Sequence, residues 1–509
     1  MIKLRKSVKK KDKEVSESPK QNKETTNLTI DPSLEQTLKI FREIYTVPTN
    51  HDVIIRNLSI PGKDKPAAII FIKTITDPQI IEQNIIKPLQ SSTEPFQSIE
   101  DIVSAQTIST ENNINQIATK INNGNVALFI EGEDLAFLFD ASNFESRTVE
   151  KTENENVVKG PKEAFNEKAA TNISLIRKRI KSENLVVESA IVSNESKNDL
   201  FIIYQKDLVN EKLLQNVKAR VKSLDTNAIQ NLSLLEQYIE ERKYSIFPTT
   251  LYTERPDRAA SFIEDGYIIL IMDNSPDTLI IPATFWSFYH SAEDHYLRLP
   301  YANFTRLLRI LALFITLFAS ALYVAVVTFH AEMIPPDLLL AIAATRERVP
   351  FPAAIEVFIM EIAFELIREA GLRVPSPIGP TIGIVGALIL GQAAVQANIV
   401  SPIVVIIVAL GGLSSFAIGD ISMNFAIRIS RFMMLLSASI FGLYGITSIF
   451  VMGLFYMLSI KSFGVPYLAP MTPNYISSED TIIRRTLQKE IFRPGYVKPK
   501  NLKKRQGEN

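Results

Sequence analysis

Charged residues vanish from three long stretches in the C-terminal half of the chain: Ile310 to Phe329, Val374 to Gly419 and Phe432 to Ile460. A helix needs about 20 apolar residues to cross a hydrocarbon layer of roughly 30 Å. The first stretch therefore predicts one membrane span. The second predicts two, turning near Ala397 to Pro402, and the third predicts one long, tilted span. That gives four expected spans. Between the first two stretches, Ile334-Pro335-Pro336-Asp337 breaks the chain, and the segment from Phe351 to Pro375 reads as a helix carrying Glu356, Glu361, Glu365, Arg368 and Glu369. Spacings of three and four place Glu361, Glu365, Arg368 and Glu369 on one face, while Ile355, Phe358, Ile359, Ile362 and Leu366 cover much of the other. Two readings stand: a span whose charged face meets protein or water, or a re-entrant or interfacial amphipathic helix.

Upstream of residue 300 the periodicity changes. Short β-branched runs (Ala67 to Ile72, Val126 to Ile130, Leu135 to Phe139) surround helical patterns at Pro78 to Gln90 and Asn112 to Ile121. After the polar stretch Glu150 to Val158 the alternation restarts. A helix is expected from Glu163 to Lys181, strands near Leu185 to Val192 and Asp199 to Lys206, a helix from Glu211 to Leu224, and strands near Tyr267 to Met272 and Thr278 to Ile281. The expected fold class is an α/β soluble N-terminal region of two subdomains followed by an α-helical polytopic membrane domain. The divisions read as a disordered basic tail (1–35), cytosolic α/β subdomains (36–150 and 151–300), a transmembrane domain (301–462) and a cytosolic C-terminal tail (463–509). No repeat of 20 to 50 residues is evident in the sequence.

Charge changes the picture only locally, since 55 Lys plus Arg balance 55 Asp plus Glu in 509 residues. Global electrostatics give no reason to expect a nucleic-acid partner. Arg306 and Arg309 before the first span, and the basic run from Lys498 to Arg505, both favour the cytosolic side. Matching sides require an even number of crossings. Four full crossings with the Glu-rich helix not crossing satisfy this and place Arg428 and Arg431 outside. The basic start of the chain lacks a signal-type apolar stretch and reads either as a solvated charge run or as a contact with anionic lipid. With no cysteine, disulfides, thiolate metal sites and cysteine nucleophiles are excluded.

Candidate chemistry is sparse. No phosphate loop or strand-linked GxGxxG is present, and Gly379, Gly383 and Gly386 read as helix-packing positions within an uncharged stretch. His290 and His295, five apart, are poorly spaced for a shared metal. Trp286 with Phe285, Phe288 and Tyr289 is either an interfacial anchor or core. No catalytic residue, cofactor or metal site is expected, so the chain is read as a non-enzyme acting in transport, conduction or signalling. Helical spacing sets Thr381, Val385, Leu388, Gln392 and Gln396 along one face, polar at its ends and apolar between, which suits either a pore with a hydrophobic gate or plain helix packing. The Glu356–Glu369 cluster marks either a polar pathway or an internal charge pair. From Val157 to Leu185, Gly160 and Pro161 supply a break and Arg177 and Arg179 lie on the helix that follows, which is the pattern of a structural junction.

Several segments carry a resemblance. VVKGPKEAFNEKAATNISLIRKRIKSENL (Val157 to Leu185), Thr253-Glu254-Arg255-Pro256-Asp257, DNSPDTLIIPATFWSFYHSAEDHY (Asp273 to Tyr296) and the block from Pro350 to Pro402 resemble the A subunit of the GerA-type spore germinant receptors of endospore-forming bacteria. The similarity runs from about Phe41 to Tyr496; the chain departs from it at Asn274, where relatives often carry glycine, and before Gly266. The resemblance implies a multi-pass protein of the spore's inner membrane with a cytosolic N-terminal region of two α/β subdomains. It implies a transporter-like, nutrient-binding B subunit and a lipoprotein C subunit as partners. It also implies homo-oligomerisation, with a pentamer as the implied size, into a nutrient-gated cation channel. Two other classes compete: a non-conducting scaffold that relays the signal to a separate channel, and a secondary transporter, for which no second repeat is visible.

Overall fold

The computed structural model describes residues 28–92, 94–96, 98–104, 107–144, 152, 155–373, 389–475, 477–478 and 480–504. Most of the basic N-terminal segment, Thr381, Val385, Leu388, Gly379, Gly383 and Gly386 lie outside them. The chain forms two compact units, Met1–Ile44 with Val53–Asn143, and Tyr45–Asp52 with Phe144–Asn509.

In the first unit, helix α1 (Leu34–Tyr45) precedes strands β1 (Val53–Ile60) and β2 (Lys65–Ile72), a π-helical turn (Ile80–Ile86) running into α2 (Lys87–Ser91), then β3 (Ile108–Glu111), α3 (Ile114–Asn122), β4 (Asn125–Ile130) and β5 (Ala136–Asp140). The strands make one antiparallel sheet in the order β1-β2-β4-β5-β3. Alternation along the strands splits the core between the two faces. Ile69 and Leu128 join Ile85, Ile86 and Leu89, whereas Phe129 meets Phe41 of α1 with ring centroids 5.1 Å apart.

The second unit contains α4 (Ala169–Arg179), β6 (Leu185–Val192), β7 (Asn198–Gln205), α5 (Glu211–Lys222), α6 (Leu232–Ile239), β8 (Leu251–Thr253), α7 (Pro256–Glu264), β9 (Ile268–Met272) and β10 (Thr278–Ile281). Its sheet order, β6-β7-β9-β10-β8, repeats that of the first sheet strand for strand. The local devices repeat as well. The helix before the fourth strand of each sheet ends on a left-handed glycine, Gly124 (φ 94°) in one and Gly266 (φ 91°) in the other, the C-terminal stop that glycine supplies without a Cβ clash. Asn274, between β9 and β10, has φ 63°; asparagine tolerates this region almost as glycine does, which explains the departure there. The expected helix from Glu163 begins only at Ala169, because distant partners hold the chain there: the Phe165 N–H donates to the Glu254 backbone O at 2.8 Å, and the N–H of Ala169, the first helical residue, donates to the Asp273 side-chain Oδ1 at 2.8 Å.

The helical part of this unit follows, with α8 (Glu293–Tyr296), α9 (Leu299–Phe329), α10 (Pro336–Arg346), α11 (Ala353–Arg373), a helix at 389–396, α12 (Pro402–Ser415) and α13 (Ile421–Ser459). Among the described residues, two helices are long and apolar enough to cross a membrane, α9 and α13, against four expected spans; α12 has 14 residues. Residues 374–388 of the second charge-free stretch lie outside the described residues, and the stretch after Phe432, expected as a single tilted span, bends within its length. Gly442 breaks α13 with φ 59° and ψ −137°, a backbone region that glycine alone enters readily. The chain reverses there: a Cβ on Gly445 would collide with the Ser437 carbonyl, and Met434 and Phe450, on opposite sides of the break, both pack with the α9 residues around Phe318. α13 is thus a helical hairpin of two arms.

Beyond Ser459 the chain returns to the second sheet through a short ribbon, β11 (Lys461–Ser462) and β12 (Val465–Pro466). Phe285 N–H donates to Tyr467 O at 2.9 Å, Asn210 Nδ2 to Val497 O at 3.1 Å, and the Tyr267 and Tyr496 hydroxyls lie 2.7 Å apart. The C-terminal residues are part of the core of this unit, with Tyr467 and Val497 buried in it.

Candidate functional site: a buried ion network among the apolar helices

α11 delivers its acids to three different partners. Glu356 is buried at the first turn, where Oε1 accepts from Arg346 Nε of α10 at 3.0 Å and Oε2 accepts from the Ser401 backbone N–H, just before α12, at 2.9 Å. Glu361 is also buried; it accepts from Ser320 Oγ of α9 at 2.6 Å and forms an ion pair with Arg431 of α13 at 2.8 Å. Glu365, one turn on, binds Arg431 at 2.7 Å and pairs with Arg428 as well. Arg368 turns the other way, donating to Ser415 Oγ at 2.7 Å and Gly412 O at 3.2 Å, with its guanidinium over the rings of Phe364 and Phe416. Glu369 is solvent-facing and pairs with Arg373 at 2.6 Å.

The reason for this arrangement is electrostatic. A charge withdrawn from water is tolerated only when paired and hydrogen-bonded, and α11 exposes three such groups to α9, α12 and α13 together. Two carboxylates, Glu361 and Glu365, are paired with two guanidiniums, Arg428 and Arg431, while Arg368 approaches Glu365 only to 3.8 Å. Arg431 Nε and Nη1 are buried without a hydrogen-bond partner among the described residues. Sequence reasoning placed Arg428 and Arg431 outside and did not pair them with the acids; the three-residue spacing of two arginines on an apolar helix was the available signal. Of the expected pore face, Gln392 and Gln396 are exposed on the helix at 389–396, and its other members lie outside the described residues.

The resemblance-bearing motifs gather elsewhere, around the second sheet. Gly160 (φ 135°) lies against Tyr296, whose ring a Cβ would strike at 2.6 Å. Pro161 O accepts from Arg255 Nη2 at 2.9 Å, and the same guanidinium binds Asp257 at 2.8 Å. Arg177 is buried and reaches Asp52 at 2.9 Å and Leu185 O at 3.0 Å, while Arg179 pairs with Glu163 at 2.6 Å on the half-exposed face.

A second buried knot ties the base of α9 to the C-terminal segment. Asp294 accepts from Arg306 at 2.9 Å and Arg309 at 2.5 Å, Arg306 also pairs with Asp480, and Arg484 donates to the Asp294 carbonyl. Burial by itself would raise the Asp294 carboxyl, but the hydrogen bonds and charges of Arg309 and Arg306 outweigh it and hold the group below the usual carboxylate range. His290 Nε2 lies 2.7 Å from Thr481 O. Burial, reinforced by Arg306, pushes its imidazole down to about 4 against the pull of Asp480.

Residues 39–496 match the family described as Bacillus/Clostridium GerA spore germination protein. The chain is 38% identical to spore germination protein KA of Bacillus subtilis (strain 168) over 451 residues, which covers 87% of this chain and 82% of that protein. It is 34% identical to the uncharacterized membrane protein YfkQ of the same organism, covering 87% of each. A crystal structure of the N-terminal domain of the A subunit of the Bacillus megaterium spore germinant receptor GerK3 matches 51% of this chain and 98% of that one, at 26% identity and a TM-score of 0.41. By extent and identity of the match, this chain belongs to the Bacillus/Clostridium GerA spore germination protein family.

Proposed function

We propose that the chain is the A subunit of a nutrient germinant receptor in the inner membrane of the spore. In this reading α9 and the arms of α13 are inserted in the bilayer, and the α/β units lie on the cytosolic side. Several copies assemble into a ring that conducts cations and so triggers germination. A transporter-like B subunit binds the nutrient and a lipoprotein C subunit completes the complex. The observation that carries this reading is the Glu361–Arg431–Glu365 network, buried among apolar helices. Ionisable groups at such depth are costly and mark a functional bundle interior. The two Arg431 donors without a partner among the described residues support the presence of water there, since buried donors are otherwise satisfied.

The passage itself is assigned to the face of Thr381, Val385, Leu388, Gln392 and Gln396, a hydrophobic constriction between polar ends that closes by dewetting. Under this reading Glu356, Glu361, Glu365 and Arg368 fix helix packing, while Glu369 stays at the surface. Gly160, Pro161, Arg177 and Arg179 form the junction through which the cytosolic part holds the helices. Purified receptor in a planar bilayer is expected to pass nutrient-dependent current, and Val385→Ala to leak without nutrient. Absence of current from a correctly assembled complex would instead favour a non-conducting relay. That second reading draws on the packing of the helices and the second sheet within one compact unit.

A further inference from the structure

A cavity of about 790 Å³ opens between α9, both arms of the α13 hairpin and the Phe285–Tyr289 segment. Leu317 lines it from α9, Met434 and Phe450 from the two arms, and Trp286 and Tyr289 from below. None of its lining residues is charged. The volume is that of a pocket for a small molecule, but with no charged residue in the lining an amino acid would find no counter-charge for its ammonium or carboxylate. The lining instead selects a hydrocarbon chain, because apolar surface of this extent gains most by covering apolar surface.

Two features narrow the occupant. The Tyr289 hydroxyl is buried and has no hydrogen-bond partner among the described residues, an arrangement that proteins rarely leave unsatisfied and that an ester carbonyl would satisfy. At the rim, Tyr244 lines the cavity yet is fully exposed, and it follows Arg242 and Lys243. Arg242 stacks on the lining residue Tyr456, its guanidinium 5.7 Å from the ring centroid. Basic side chains beside Tyr and Trp form the surface that meets anionic headgroups at a membrane interface.

We propose that this cavity holds one acyl chain of an anionic bilayer phospholipid, with the ester at Tyr289 and the headgroup at Arg242 and Lys243. The proposal rests on the membrane reading above. A chain seated there would touch α9 and both arms at once, so lipid would fix the distance between the hairpin and the first long helix.

Trp286 is the single tryptophan of the 509 residues, which makes the test direct. The full-length protein is reconstituted in anionic vesicles whose acyl chains carry bromine, a contact quencher of tryptophan emission, and insertion is checked first by resistance to alkaline carbonate. Strong quenching is expected in the wild type. It should be mostly lost in Gly453→Phe, because Gly453 lines the cavity and a Cβ there meets no atom of the described residues within 4 Å, and in the second filling variant Leu317→Phe. Variants are compared at matched thermal stability. Extraction by carbonate would overturn the membrane reading and this proposal together. An inserted protein whose Trp286 is unquenched has another occupant, such as a neighbouring copy, and overturns the proposal alone. Equal quenching in wild type and both filled variants reports boundary lipid only and also overturns it.

Discussion

Glu361 of α11 and Arg431 of α13 stand 2.8 Å apart with side chains 0% and 1% exposed. The first arm of the hairpin is thereby clamped to the Glu-rich helix, and Ser320 of α9 completes the contact at 2.6 Å. Glu365 and Arg428 extend the clamp by one turn at a less buried level.

Arg431→Met should destabilise the protein strongly, by about 3–5 kcal/mol, because it leaves a buried carboxylate without its cation. Arg428→Met should cost much less, since Glu365 keeps Arg431. The double variant Glu361→Leu with Arg431→Met should recover most of the loss, as removal of both charges abolishes the desolvation penalty. Thermal unfolding in detergent, run as a double-mutant cycle, measures the coupling; additive single effects would contradict the clamp.

At the hairpin tip, Gly442→Ala should be destabilising by roughly 1–3 kcal/mol through its positive φ. Its Cβ would also press on Phe329 Cβ at 3.0 Å. Gly453→Ala, in a helical arm where the added methyl meets no atom of the described residues within 4 Å, should be neutral or stabilising by about 0.5–1 kcal/mol. Opposite signs in melting temperature are the readout.

The two junction arginines should separate cleanly. Arg177 and Asp52 are 2% and 1% exposed, so Asp52→Ala should cost about 3–5 kcal/mol. Arg179 and Glu163 are 23% and 29% exposed, and Arg179→Ala should cost only about 0–1 kcal/mol. Denaturant unfolding of the two variants side by side tests the ranking.

The knot at the base of α9 should loosen with acid. His290 is held down to about 4 from an ordinary 6.5. The stability it contributes is therefore fully present above pH 6.5 and lost as pH falls toward 4. The depressed Asp294 and Asp480 carboxyls are lost only at still lower pH. The wild type's advantage in melting temperature over His290→Gln should shrink as pH falls through that upper window, the comparison cancelling buried carboxyls such as Glu236, which burial raises to about 7 and which titrate in the opposite sense. An unchanged slope in the variant would show that His290 is not the titrating group.

How much of this was legible beforehand can be read from individual segments. β6 and β10 were recoverable to the residue, because alternating or continuous burial is written in runs such as Leu185 to Val192 and Thr278 to Ile281. The Glu-rich helix was also visible, since three- and four-residue spacing fixes which side chains share a face. The late start of α4 was not, because Phe165 and Ala169 are held by Glu254 and Asp273, far away in sequence.

The sequence by itself determined the family, the division into alternating α/β and charge-free helical regions, and the face on which Glu361 and Glu365 lie. Each of these is a local property of residue order. Only the tertiary structure decided that Glu361 meets Arg431, that the last long apolar stretch doubles back at Gly442, and that the second sheet repeats the strand order of the first. Periodicity records that a side chain must be covered, but not which of several equally suitable surfaces covers it. That choice is made when distant segments close on one another and each buried charge finds its counter-charge.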